Sequence, residues 1–313
     1  MNSRKKMSGG PKKFKKLELY SRISFLYLNK AFKNPLILKV ADRKHKLVFK
    51  FLEKEQADVI AKYKNLKEKK HDEVGERYIW TLWWQGEDLA PEIVKICHNQ
   101  LKKNANGAKV IIITKDNYKD YIELPPYILE KREKGYITIQ QFSDIIRFTL
   151  LEKHGGLWLD STIYTSKPIP KEYFEYPFFS QHTKWADTCF VQHNLWHGFS
   201  IASKKGGKLV SFAKEMFFDY WEDHDVIVDY LMIDYILMIA YNHFDDIKEE
   251  IDSLPYSSER LYDLVSILSK EYDEKYFNSL MDECIFSKLD WHKEYKLSIK
   301  GKETYYSHIV NLQ

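Results

Sequence analysis

Cysteine is scarce in this chain. Three occur in 313 residues, Cys97, Cys189 and Cys284, far apart and odd in number. Such spacing offers neither the close pairs of a zinc site nor a disulfide framework, and it suits a reducing compartment. Long apolar runs are absent as well. The opening MNSRKKMSGGPKKFKK is basic but leads into no continuous apolar stretch and no small-residue cleavage site. No later segment reaches the ~20 apolar residues needed to span a bilayer. The chain is therefore expected to be neither secreted through a signal peptide nor integral to a membrane. Several catalytic signatures are missing too. Gly206-Gly207-Lys208 lacks the earlier glycine of a phosphate-binding loop, since Ala202 stands there, and Leu209 replaces the Ser or Thr that should follow. His193 and His197 are four apart but have no glutamate in the metalloprotease position, and no G-x-S-x-G hydrolase elbow occurs.

What the chain does hold is apolar and aromatic. At 44% hydrophobic and 15% aromatic residues it can bury a substantial core, which excludes disorder for most of its length. Its many Trp and Tyr rings, apolar with a polar handle, suit sugar rings and bases as well as cores. Charge is unevenly placed. Residues 1–50 carry fifteen Lys or Arg against Glu18 and Asp42, a net +13, so the remainder carries −9 of the overall +4. A basic arm on an acidic body is expected to seek anionic lipid or nucleic acid. Within the arm Phe14, Leu17, Ser21, Phe25, Leu28 and Phe32 recur at helical spacing. An apolar stripe surrounded by lysines is the pattern of an interfacial helix, and no motif that reads DNA or RNA accompanies it, so an anionic membrane surface is favoured over nucleic acid.

Asn34-Pro35 ends that helix, and a second charged helix is expected from about Leu47 to Lys70, closing with KEKKHDEVG. The basic helical extension is thus assigned to residues 1–73 and the main domain to 74–313. The main domain opens with Tyr78-Ile79-Trp80-Thr81-Leu82-Trp83-Trp84, read as a buried strand stopped by Gln85-Gly86. A helix from Pro91 through Leu101 and the apolar run Val110-Ile111-Ile112-Ile113 complete a βαβ unit. The fold class is α/β, a nucleotide-binding domain with a mixed, mostly parallel sheet.

The most informative segment is ITIQQFSDIIRFTLLEKHGGLWLDSTIYTSKPIP. Thr138 and Gln141 form a capping box, and Phe142, Ile145, Ile146, Thr149 and Leu150 make one apolar helical stripe. Asp144 and Arg147 lie three apart on another face. Gly155-Gly156 stops the helix, and a short strand, Leu157-Trp158-Leu159, delivers Asp160 to its carboxyl end, where ligands bind in open α/β sheets.

The string S-D-x-x-R, a helix, then G-G-x-W-x-D resembles the donor-site signature of retaining glycosyltransferases with the GT-A fold. Together with IWTLWWQGEDLAPEIVK and VIIITKDNYKDYIELPPYI it most resembles the capsular polysaccharide synthesis proteins, kin to the DXD sugar transferases that include mannosyltransferases and the large clostridial glucosylating toxins. The likeness is strong over residues 78–170 and weak from 171 to 313. It implies that Trp83 stacks on the base, that Asp144 and Arg147 bind sugar or ribose hydroxyls and the diphosphate, and that Asp160 is the first Asp of D-x-D. Gln85, Gly156 and Thr162 join the donor-binding set. Thr162 stands where the second Asp should be, which weakens a site for Mn²⁺ or Mg²⁺, because a neutral hydroxyl is a poor ligand for a hard cation. Asp160, with His308 as a further ligand, is the metal candidate, and Lys302 and His308 are placed to close over the diphosphate. His182, Asp187 and Asn194 fall where this architecture forms an acceptor cleft, with Asp229, Tyr230 and Asp234 lining it; Asp229 and Asp234, five apart, share no helical face.

The resemblance implies an enzyme that moves a hexose or acetamidohexose from a UDP-sugar or similar donor to a lipid-linked glycan in capsular or exopolysaccharide synthesis. It would work in the cytoplasm, peripheral at the inner face of a bacterial plasma membrane. The alternative is an inactive, membrane-attached carbohydrate-binding or scaffold protein that keeps the fold. Breaking a sugar–phosphate bond builds negative charge on the leaving diphosphate, which cations must meet in a water-poor site; Arg147 is such a cation. Deleting residues 1–50 is expected to abolish salt-sensitive binding to anionic liposomes while sparing sugar-nucleotide hydrolysis.

Overall fold

The computed structural model describes residues 35–66, 75–184 and 190–312. The stripe from Phe14 to Phe32, Asp187 and Cys189 lie outside the described residues. The strands are β1 (Tyr78–Leu82), β2 (Lys109–Ile113), β3 (Gly156–Leu159), β4 (Ile163–Thr165), β5 (Phe178–Ser180), β6 (Ser200–Ser203), β7 (Phe286–Lys288), β8 (Ser298–Ile299) and β9 (Lys302–Glu303). Five of them form the central sheet in the order β2-β1-β3-β6-β5. β1 pairs in parallel with β2 and β3, and β6 runs against both β3 and β5, so β6 alone is reversed. The expected α/β class with a mixed, mostly parallel sheet is what forms.

The helices are α1 (Pro35–Glu55), α2 (Ala57–Lys64), α3 (Glu92–Lys103), α4 (Tyr118–Tyr121), α5 (Pro126–Glu133), α6 (Ile139–His154), α7 (Lys208–Asp223), α8 (Met232–His243), α9 (Asp245–Asp252), α10 (Asp263–Ile267), α11 (Glu274–Glu283) and α12 (Tyr305–Asn311). Among the described residues none is long and apolar enough to cross a membrane. Strand β1 is aromatic and β-branched because both its faces are covered: Ile79 and Trp80 are fully buried, and the Trp80 indole donates to the Gly155 carbonyl at 2.8 Å. The strand stops at Leu82, two residues earlier than its composition suggests. Trp83 and Trp84 follow it and turn to opposite sides. Trp83 meets Trp291 edge-on at 5.5 Å, whereas Trp84 meets Phe142 of α6 at 5.3 Å.

Helix α6 begins and ends where its sequence says. The Thr138 amide donates to Gln141 Oε1 at 2.8 Å and the Gln141 amide to Thr138 Oγ1 at 3.4 Å, satisfying two donors that the first turn would leave open. At the other end Gly155 and Gly156 take φ of +70° and +103°. Neither has room for a side chain: a Cβ would lie 2.7 Å from the Lys205 amide nitrogen and 2.5 Å from the Tyr78 carbonyl oxygen respectively. This tight turn lets β3 run directly beside β1 and aims its carboxyl end, and Asp160, at the same sheet edge as the ends of β1 and β2.

The N-terminal helices differ from expectation in extent and in contact. Pro35 opens a helix, so the helical stretch begins twelve residues before Leu47. Both helices pack on the body. Lys44 pairs with Asp229 at 3.0 Å with both side chains buried, His45 Nδ1 meets the Tyr235 hydroxyl at 2.6 Å, and Gln56 donates to the Met216 carbonyl at 2.6 Å. Val48 and Leu52 are fully buried in the core. A truncation at residue 50 therefore does not isolate the basic segment, because it strips Lys44, His45 and Val48 from the body. It is expected to cost at least ~3 kcal/mol, the scale for removing one partner of a buried ion pair. A truncation at residue 34 leaves these contacts and is expected to keep the full-length urea midpoint. Equal midpoints for the two truncations would show that α1 contributes nothing to the fold.

Candidate active site

The carboxyl end of β3 carries a cluster built around Arg147. Its guanidinium, almost wholly buried, uses Nη2 to reach Asp160 Oδ1 at 3.1 Å and Asp144 Oδ1 at 3.3 Å, and Nη1 to donate to the Gly198 carbonyl. Its plane lies 4.9 Å from the centre of the Trp158 ring. Gly198 leaves this room: a Cβ there would come within 3.4 Å of Arg147 Nη1 and 3.2 Å of Ile233. Arg147 Nε is buried with no hydrogen-bond partner among the described residues.

Asp160 is the most heavily engaged acid. Its Oδ1 also accepts from the Trp158 indole at 3.0 Å, its Oδ2 accepts from Lys288 Nζ at 2.7 Å, and its amide donates to the Phe199 carbonyl at 2.9 Å. Lys288 arrives because β7 pairs with β4, with Lys288 opposite Ile163. The turn after Asp160 is pinned from below. Ser161 Oγ donates to the Leu82 carbonyl at 2.7 Å and meets buried His98 Nε2 at 3.0 Å, while His98 Nδ1 lies 3.3 Å from Glu87 Oε1.

Two neighbouring acids titrate in opposite directions. Burial alone would raise Asp160, but Lys288 and Arg147, with hydrogen bonds from Lys288 and Trp158, hold it down at about 2. Burial raises Asp144 to about 7; Arg147 opposes the rise, and Asp160 and Asp234 add to it. Asp234, which accepts from the Trp196 indole at 2.9 Å, is pushed by burial to about 6. Beside them His197 stacks on Phe199 at 5.0 Å, and burial lowers its imidazole to about 4. Tyr230 and Tyr262 stand at the rim, 64% and 51% exposed.

The structure thus brings Asp144, Arg147 and Asp160 together. Thr162 is nearby but buried, and its carbonyl accepts from the Leu289 amide at 2.8 Å. Gly156 is at the far end of β3, about 13 Å from Asp160 at ~3.3 Å per residue, and it serves the close approach to Tyr78. Gln85 is exposed in the turn after β1. Asp229 is held by Lys44 and accepts from the Leu231 amide at 3.0 Å. His182 is buried with Nδ1 3.2 Å from the Leu254 carbonyl oxygen, and Asn194 sits in a left-handed turn at φ +69°. His308 stacks on Tyr272 at 4.0 Å and Lys302 pairs with Glu271, so neither meets Asp160.

Lys288, Trp158 and Trp84 were not singled out from sequence. Trp158 was legible, since residues two apart on a strand share a face. Lys288 lies 128 positions from Asp160 and had no local signal.

For a divalent cation the donor set fits poorly. Hard cations ask for several anionic oxygens. Both Asp160 oxygens already face cationic or N–H donors, position 162 offers a buried hydroxyl, and among the described residues no group of three His, Cys, Asp or Glu converges.

The sequence matches the profile of the capsular polysaccharide synthesis protein family over residues 28–309, a span that includes α1 and α2. The chain belongs to that family. Among solved structures it is similar to the PaToxG glycosyltransferase, at 14% identity over 67% of this chain and 94% of that one, with a TM-score of 0.30. No curated protein matches the chain.

The raised Asp144 gives a pH signature. Its folded value, about 7, lies above the ~3.9 of an unfolded aspartate, so the stability it contributes is complete below about pH 4 and is lost as pH rises through 7. The melting temperature of wild type relative to Asp144→Asn is expected to fall as pH rises from 5 to 7, since His197, lowered to about 4, acts alike in both proteins. Asp144→Asn, neutral throughout, is expected to lose less, with Asp234 supplying the remainder. Parallel melting curves against pH for the two proteins would remove Asp144 from this role.

Proposed function

We propose that the chain transfers a sugar from a nucleotide-activated donor to a lipid-linked glycan acceptor in capsular polysaccharide synthesis. The observation that carries this reading is the convergence of two cations, Arg147 and Lys288, on one carboxylate at the ligand-binding edge of the sheet. When the sugar–phosphate bond breaks, the nucleoside diphosphate leaves with growing negative charge. An oriented guanidinium and ammonium in a partly desolvated site stabilise that charge as it develops. Asp160, held ionised, accepts hydrogen bonds from hydroxyls of the donor sugar. Asp144, half protonated near neutrality, can donate to a hydroxyl or accept from one. Trp84, packed on the same helix that carries Asp144 and Arg147, is better situated to meet the base than Trp83, which faces the other way.

On this reading Lys288 takes the electrostatic place that a metal ion holds where a second aspartate is present, and transfer proceeds without Mn²⁺ or Mg²⁺. The basic segment before residue 35 meets an anionic membrane surface, close to a lipid-linked acceptor.

The test is release of nucleoside diphosphate from a panel of sugar nucleotides, with and without EDTA. Activity is expected to survive EDTA. Lys288→Met and Asp160→Asn are expected to lose at least 100-fold in kcat/KM while near-UV circular dichroism shows them folded, Asp160→Asn with a lowered melting temperature because buried Arg147 loses a charged partner. Arg147→Lys is expected to lose a large part, because an ammonium cannot reproduce the paired donors of a guanidinium. A rate that vanishes with EDTA and returns with Mn²⁺ would overturn the metal-independent mechanism. No release from any donor by folded protein would favour the carbohydrate-binding scaffold instead.

A further inference from the structure

An open groove of about 370 Å³ lies between the first turn of α3 and the segment that follows β7. Its walls are aromatic. Trp291 is 41% exposed; the His292 ring lies against it at 3.9 Å and 31°, and Trp83 stands perpendicular to it 5.5 Å away, so a sugar ring meets the surface that these two leave open. Tyr295 and Tyr306 pack with centroids 5.4 Å apart at 38°, so their faces are not closed on each other. The Tyr295 hydroxyl is spent on the Asp290 carbonyl at 2.7 Å, which fixes the ring. Glu92, Lys293 and Glu294 supply charged groups at the edge.

An apolar floor with acceptors and a cation at the rim matches the two sides of a pyranose. Its axial C–H bonds carry slight positive charge and prefer the negative face of an aromatic ring, while its equatorial hydroxyls point sideways to polar partners. The volume is at the small end for small-molecule sites, adequate for a sugar ring. A lipid chain would find charged groups along its path.

The groove is also tied through the chain to the candidate active site. Lys288, which touches Asp160, is three residues before Trp291, and three residues reach at most about 10 Å. Trp83, behind Trp291, directly follows Leu82, whose carbonyl anchors Ser161 beside Asp160.

We infer that this groove is a carbohydrate subsite that holds a sugar ring of the acceptor glycan, stacked on Trp291 and bordered by Tyr306. The assignment to the acceptor rests on the glycosyl-transfer reading; the binding of a sugar ring does not.

Full-length protein is titrated with the methyl glycosides of glucose, galactose and N-acetylglucosamine, followed by saturation-transfer NMR, and separately with UDP, followed by calorimetry. Wild type is expected to bind at least one glycoside in the millimolar range. Trp291→Ala and Tyr306→Ala are expected to weaken that binding at least tenfold, Trp291→Phe to recover most of it, and all three to keep UDP affinity within twofold. Near-UV circular dichroism checks that the variants are folded. Glycoside binding unchanged in Trp291→Ala and Tyr306→Ala, or absent in wild type, overturns the subsite, as does a loss of UDP affinity without a loss of glycoside binding. Glycoside binding that depends on Trp291 in a protein that turns over no sugar nucleotide leaves the subsite standing and refutes the transferase reading alone.

Discussion

The cluster depends on a single buried guanidinium. Arg147 reaches two carboxyl groups with one nitrogen, ties the cluster to the Gly198 carbonyl with another, and lies over the Trp158 ring. A cation this deeply buried is tolerable only when its partners are in place, since losing one partner of a buried pair costs ~3–5 kcal/mol. Other features follow from that need. Helix α6 must present Asp144 and Arg147 at a fixed rotation, which its capping box and the Gly155-Gly156 turn secure. Position 198 is best kept small, since a Cβ there would press on Ile233 at 3.2 Å beside Arg147. Trp158 and Asp160 must share a strand face.

The two acids on Arg147 are not equal, and geometry explains why. Asp160 sits between the guanidinium and the Lys288 ammonium and accepts an indole N–H besides, so it is ionised at every physiological pH. Asp144 is raised chiefly by burial, with only its share of Arg147 against the rise and Asp160 and Asp234 adding to it, so it holds its proton to near neutrality. Paired acids driven apart by their surroundings are a usual way for one site to offer both a permanent anion and an exchangeable proton.

Much of this was legible in the residues, but unevenly. The strand at Tyr78, the helix from Thr138 to the double glycine, and the delivery of Asp160 to a strand end are local matters of period, capping and turn chemistry, and all three formed as read. Lys288 was not legible because a three-residue strand carries too little pattern to announce that β7 pairs with β4. The opposite directions of Trp83 and Trp84 follow from strand alternation, but the end of β1 at Leu82 and the partners Trp291 and Phe142 were not legible locally. His308 and Lys302 were chosen for lying late in the chain, and tertiary packing gave them Tyr272 and Glu271 instead. Asp229 read as a cleft residue because its partner, Lys44, lay in a segment assigned to a separate extension.

That ion pair makes α1 a spacer of fixed length. Lys44 is nine residues from Pro35, and a helix rises ~1.5 Å per residue, so the point where the helix begins is about 14 Å along its axis from the residue that pairs with Asp229. A helix clamped at Lys44, His45 and Gln56 cannot swing as a tether would. The point at which the chain enters this helix is therefore held at one place on the body, as a bracket holds a rail.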